Sequence, residues 1–212
     1  MTEVQADATH RATARLDAGR WAIDIAELTP GGRRASLDET QLRNQHPQGV
    51  RAFALAGAGT LATGGQDGSV ALWSIAQPGR ATRLALPPGA RPESGWGPVS
   101  ALASDGRRLV AGFEGGRVVM WDLARAGGNW QQPVATGRAH AMRVTGLALF
   151  DNGRQLATVS RDGKARLWHL PENSATGPAL LTGPAQELPS PPGNTDWFSG
   201  YHSVAVSPDG SA

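Results

Sequence analysis

The sequence predicts an all-β chain assembled from repeated four-stranded antiparallel units. Three segments carry the prediction: GGQDGSVALWSIA around Trp73, GFEGGRVVMWDLA around Trp121 and VSRDGKARLWHLP around Trp168. Their tryptophans stand 48 and 47 residues apart. Self-similarity at that period marks a repeat architecture, in which each unit buries its apolar faces against its neighbours. Composition agrees: 28 glycines, 15 prolines and 40% apolar residues in 212 supply both tight turns and a core.

The third unit reads most clearly. Val144 to Phe150 is a β-rich run, Asp151-Asn152-Gly153 a turn suited to positive φ, and Gln155 to Ser160 a second strand. Arg161-Asp162-Gly163 turns the chain again into a third strand, Lys164 to Leu170, and a weak fourth is expected near Ala179 to Thr182. The first unit follows suit with strands at Val50 to Ala56, Thr60 to Gly65 and Ser69 to Ala76, and a fourth ending at Leu86. The second has strands from Val99, to Phe113 and to Leu123, with the fourth near Val134 to Thr136. The third strands are almost continuously apolar, as in a sheet covered on both faces. At the N-terminus, RWAIDIAEL from Arg20 aligns with VALWSIAQ from Val70 and sets Ile23 at the place of Trp73. At the other end, His202 to Val206 and the turn Ser207-Pro208-Asp209-Gly210 begin a further unit.

These residues resemble the WD-repeat (WD40) β-propeller family, whose blades have four strands and about 40–45 residues. Trp121-Asp122 is a literal W-D pair, replaced by Trp73-Ser74 and Trp168-His169 in the other units, and Ser207-Pro208-Asp209-Gly210 matches a typical first hairpin turn of the family. The resemblance implies that residues 1–45 form a partial blade or N-terminal extension and that 46–212 form propeller blades. These fall at about 46–90, 91–137 and 138–190, with a truncated blade at 191–212. The expected fold is therefore an incomplete or open ring, with about three complete blades and partial blades at each end. Closed propellers have about 4–8 blades. The chain is thus expected to be a fragment of a longer protein, with self-association through exposed blade faces, or four-blade closure, as alternatives. A strong excess of arginine over lysine, with many alanines, suggests a bacterial member.

The family often carries a buried tetrad of His, Ser/Thr, Asp and Trp. By resemblance the third unit supplies His140, Ser160, Asp162 and Trp168. Buried indole and imidazole N–H groups need partners, and a carboxylate closes the chain of bonds. The first unit keeps His46, Asp67 and Trp73 but places Gly65 at the hydroxyl position; the second keeps Trp121, with Phe113 and Gly115 at the Ser and Asp positions. Only one complete network is expected.

Little in the sequence points to chemistry. Gly57-Ala58-Gly59-Thr60-Leu61-Ala62 fits a dinucleotide fingerprint, but a strand follows where a helix would be required. Single aspartates before glycine do not make calcium loops, and the five histidines have no metal-ligand spacing. No catalytic residue, metal or cofactor is expected. The pI of 9.9 reflects one lysine and one tyrosine rather than clustered cations, since the net charge is only +2; nucleic acid is not an expected partner. No apolar run is long enough to cross a membrane, and the first thirty residues lack the signature of a signal peptide. The absence of cysteine fits a reducing, cytoplasmic location.

A protein partner is the remaining expectation. The candidate contact surface is the narrow face of the ring, with Gln66, Glu114 and Arg161 in the turns between strands two and three. Met142 and Arg143 join them before the third unit's first strand. The expected function is a non-enzymatic scaffold within a larger signalling or regulatory protein. The alternative is the regulatory arm of an NTPase, kinase or caspase-like protease whose catalytic domain is absent here. Trp96, Trp130 and Trp197 lie in loops and are either anchors or packing residues.

Overall fold

Sheets form wherever the repeat places apolar, β-branched runs between glycine-bearing turns. The computed structural model describes residues 4–6, 9–17, 20–57, 59–125, 129–170, 179–180, 186–188 and 204. An N-terminal sheet holds β1 (Val4–Ala6), β2 (His10–Asp17), β3 (Arg20–Glu27) and β4 (Arg34–Leu37) in that order. Helix α1 (Glu39–Gln45) leads to blade one: β5 (Val50–Leu55), β6 (Thr60–Gly65), β7 (Val70–Ser74) and β8 (Gln77–Arg83). Blade two comprises β9 (Val99–Ser104), β10 (Arg108–Phe113), β11 (Arg117–Asp122) and β12 (Ala135–Arg138). Blade three comprises β13 (Val144–Phe150), β14 (Gln155–Ser160), β15 (Ala165–His169) and, beyond the two-residue β16 (Ala179–Leu180), β17 (Gln186–Leu188).

The hairpins repeat residue for residue. Gly68, Gly116 and Gly163 occupy one turn position in the three blades, all with φ between 74° and 77°. That conformation suits only glycine without strain. Each blade also has a register shift where β5, β9 or β13 begins. Such bulges bend a strand and re-aim its side chains.

The sheets stack as an arc. β5 packs against β9 and β9 against β13, while β1 and β2 meet β5. Ile23, Ile25, Leu37 and Leu42 meet Phe53, Leu61 and Trp73. Val70 and Leu72 meet Val99, Leu109, Phe113 and Trp121, and Val110, Val118 and Met120 meet Val144, Leu156 and Trp168. Each blade's tryptophan thus faces the preceding sheet, and every described interior sheet is covered on both sides. Among the described residues β13 makes no comparable contact with β1, so the ring is open.

Several expectations change. Ile23 faces forward onto blade one, whereas Trp73 faces back toward the N-terminal sheet; an alignment off by one residue inverts the face of a strand. Ala179–Leu180 runs parallel to β12 and extends blade two, and Gln186–Leu188 is the fourth strand of blade three, paired with β15. β8 begins after a gap of two residues from the end of β7 and ends at Arg83, short of Leu86. Helix α1 was not anticipated, although Asp38 and Gln41 form a capping box: Gln41 N–H donates to Asp38 Oδ1 at 2.8 Å and Asp38 N–H to Gln41 Oε1 at 2.9 Å. The expected truncated blade at 191–212 and Trp197 lie outside the described residues, apart from Val204.

Candidate functional site

Two buried polar networks sit at equivalent places. In blade three, Trp168 Nε1–H donates to Thr158 Oγ1 at 3.0 Å, Thr158 Oγ1 lies 2.7 Å from His140 Nε2, and His140 Nδ1 lies 3.1 Å from both oxygens of Asp162. One proton arrangement satisfies every member. The indole donates to the threonine, the threonine O–H to Nε2 of a neutral imidazole, and its Nδ1–H to the carboxylate. The hydroxyl member is therefore Thr158 rather than Ser160. Ser160 Oγ–H instead donates to Met142 O at 3.2 Å and accepts Asp162 N–H at 3.1 Å, holding the turn. Residues two apart share a face of a strand, so both were candidates on pattern alone.

Blade one has the same network where a gap was expected. Thr63, two residues before Gly65, accepts Trp73 Nε1–H at 2.7 Å and lies 2.7 Å from His46 Nε2. Its far end is longer by one relay. His46 Nδ1 lies 2.7 Å from Ser69 Oγ, which donates to Asp67 Oδ1 at 2.6 Å, while the direct His46–Asp67 separation is 3.6 Å. A signal for both threonines was present, since each precedes its tryptophan by ten residues.

Blade two abandons the polar chain. Ala111 stands where Thr63 and Thr158 stand, and Trp121 Nε1–H donates outward to Ala85 O at 2.9 Å. Trp96 fills the vacated space. It is buried, meets Phe113 edge-on at 5.2 Å between centroids, and lies under the Arg117 guanidinium at 4.9 Å. Gly115 replaces the aspartate because the backbone closes there: a Cβ would approach Gly95 O to 1.9 Å.

Burial sets the protonation states. Desolvation holds the His46 and His140 imidazoles below their usual range, opposed but not reversed by Asp67 and Asp162. Burial also acts to raise Asp67 and Asp162. For Asp67 this is outweighed by the Ser69 O–H and N–H donors and the nearby His46 and Arg83; for Asp162, by Ala141 N–H, His140 and Lys164 N–H. Both carboxyls end below the ordinary value.

Around these networks lie the turns expected to form the narrow face. Gln66, Glu114 and Arg161 occupy the same turn position, and each backbone N–H is tied to the lead-in of its own blade: Gln66 to Gly49 O at 2.9 Å, Glu114 to Pro98 O at 2.9 Å, and Arg161 to Arg143 O at 3.0 Å. Glu114 Oε1 accepts Arg51 Nη2–H at 2.9 Å and faces Arg143 Nη1 at 3.5 Å. Arg51 was missed by sequence reasoning, because its strand position gives no hint that it crosses to the next blade. Met142 beside them is 44% exposed. Among the described residues no group of three or more His, Cys, Asp or Glu could hold a metal, and no helix is long and apolar enough to cross a membrane.

Comparison with known proteins adds to this picture. Residues 39–74 and 131–169 match the family described as WD domain, G-beta repeat. Strands β9–β11, where the polar chain is lost, fall between the two matched segments. Over 83 residues the chain is 40% identical to Dynein axonemal assembly factor 10 of Chlamydomonas reinhardtii, covering 36% of this chain and 22% of that protein. Among solved structures, a chain of the Mitotic Checkpoint Complex superposes with a TM-score of 0.56 at 19% identity, covering 80% of this chain and 48% of its own. A chain of a humanized mutant of the Chaetomium thermophilum Polycomb Repressive Complex 2, bound to the inhibitor GSK126, superposes with a TM-score of 0.61 at 16% identity, covering 84% and 40%. These structural likenesses show the fold. The chain spans less than a quarter of the curated relative and under half of these two structural chains.

Proposed function

We propose that the chain is a non-enzymatic scaffold of WD repeats whose narrow face reads a protein partner. One observation carries the reading. Three hairpins with the same backbone anchoring present three chemically different side chains, Gln66, Glu114 and Arg161, at one level. A rigid frame with variable tips is how a contact surface gains specificity. Met142 and Arg143 extend it with an apolar and a cationic contact. The similarity to a dynein axonemal assembly factor supports a role in bringing proteins together. The cysteine-free sequence supports a cytoplasmic setting. Self-association is part of the same reading, supported by Leu16 and Trp21, which stand directly opposite on β2 and β3 and are 52% and 47% exposed.

Selection from a random-peptide display library against the full chain tests this. Binders are expected to lose affinity on Met142→Asp and Arg161→Glu while the melting temperature holds. Binders indifferent to both, yet lost on Arg80→Glu in the groove of about 500 Å³ at the opposite ends of blades one and two, would refute it.

A further inference from the structure

Building on that reading of the narrow face, we propose that Arg51, Arg143 and Arg161 form a carboxylate-reading site for an acidic peptide segment, and that Glu114 occupies the site as an internal competitor. Arg51 and Arg143 converge on Glu114 from β5 of blade one and the lead-in to β13, and Arg161, on the β14–β15 turn, is tied to Arg143 through its backbone N–H, which donates to Arg143 O at 3.0 Å. Glu114 stands between them on the β10–β11 turn of blade two. A single oxygen, Glu114 Oε1, faces guanidinium nitrogens from both neighbouring blades, at 2.9 Å and 3.5 Å. That is the geometry a partner's carboxylate would adopt on displacing it.

The site has cationic capacity to spare. Arg143 meets Glu114 only at 3.5 Å, and Arg161 is exposed and makes no ion pair among the described residues. The nearby acids do not compete, because Asp67 and Asp162 are turned into the histidine networks. Glu114 itself is one-third exposed, and pairs with that exposure are weak enough to exchange. Met142 adds an apolar contact, so the surface suits acidic residues interleaved with an apolar one. A nucleic-acid backbone fits less well: three acids punctuate the turns, and the lone lysine, Lys164, is paired with Glu187.

Fluorescence anisotropy with a fluorescein-labelled peptide of alternating Glu and Leu, against its Gln/Leu counterpart, tests the proposal on the full chain. The Glu/Leu peptide is expected to bind, and to bind less well as salt rises. Glu114→Gln and Glu114→Ala should tighten it by about three- to tenfold, and Arg143→Gln and Arg161→Gln should weaken it by a similar factor. Unchanged or weaker binding in both Glu114 variants, equal binding of the Gln/Leu peptide, or stronger binding of a single-stranded DNA oligonucleotide would each overturn it. If selected binders map to Met142 and Gln66 but carry no acidic residues, the scaffold reading stands and this inference falls. If no binder maps to the narrow face, both fall.

Discussion

Thr158 accepts the indole proton and supplies its own to the imidazole, so removing its hydroxyl strands two buried groups at once. Thr158→Val keeps the shape and should cost about 2–4 kcal/mol in urea unfolding. Ser160→Ala removes only turn bonds and should cost about 1 kcal/mol. The reverse order would restore Ser160 to the network. Protonation follows the same logic. The His46 and His140 pKa values lie below their ordinary 6.5, so the unfolded chain takes up protons first. Their contribution to stability is complete above about pH 6.5 and is lost as the pH falls toward the folded values, at up to about 1.4 kcal/mol per pH unit for each imidazole. Asp67 and Asp162, also depressed, add their loss only below their ordinary 3.8. Unfolding free energies measured from about pH 7 to 5 should therefore decline; a flat profile would contradict the buried, neutral histidines.

Contacts between elements depend on absent side chains as much as on present ones. Gly64 lies against Val99, and Gly112 against Val144, so close that a Cβ at Gly112 would come within 2.7 Å of Val144 Cγ1. Gly112→Ala should therefore push blades two and three apart and cost about 1–3 kcal/mol. Val144→Ala in the same chain should recover part of that loss despite being destabilising alone. A double-mutant cycle with no coupling would show that the blades do not meet there. Blade two shows why one architecture tolerates two cores. Its Trp96, Phe113 and Arg117 replace the His–Thr–Asp chain with aromatic packing, and Trp121 spends its N–H on the preceding blade. Repeat spacing revealed this blade's strands, but nothing in the spacing revealed that its tryptophan bonds across a blade boundary.

Across the whole molecule, an open stack in which each sheet touches only its neighbours should not share damage evenly. In Thr158→Val, hydrogen exchange followed by mass spectrometry should rise in β13–β15 and leave β2–β3 unchanged. An equal rise in both would mean one cooperative unit. The exposed Leu16–Trp21 pair predicts that light scattering will detect mass growing with concentration, and that Trp21→Ser will reduce it. A monomer at every concentration in the unaltered chain would remove that surface from the functional reading.

The all-β class, the blade period, the glycine turns and most strand positions were legible in the sequence, because they follow from local chemistry: apolar runs, positive-φ residues and a fixed spacing of tryptophans. Tertiary structure decided which of two hydroxyls on one strand face meets the imidazole, and to which sheet Ala179–Leu180 belongs. It also decided that Arg51 and Arg143 converge on Glu114 from either side. Those outcomes depend on how far one sheet is rotated and set back against the next, a distance that side-chain alternation along a single strand does not encode.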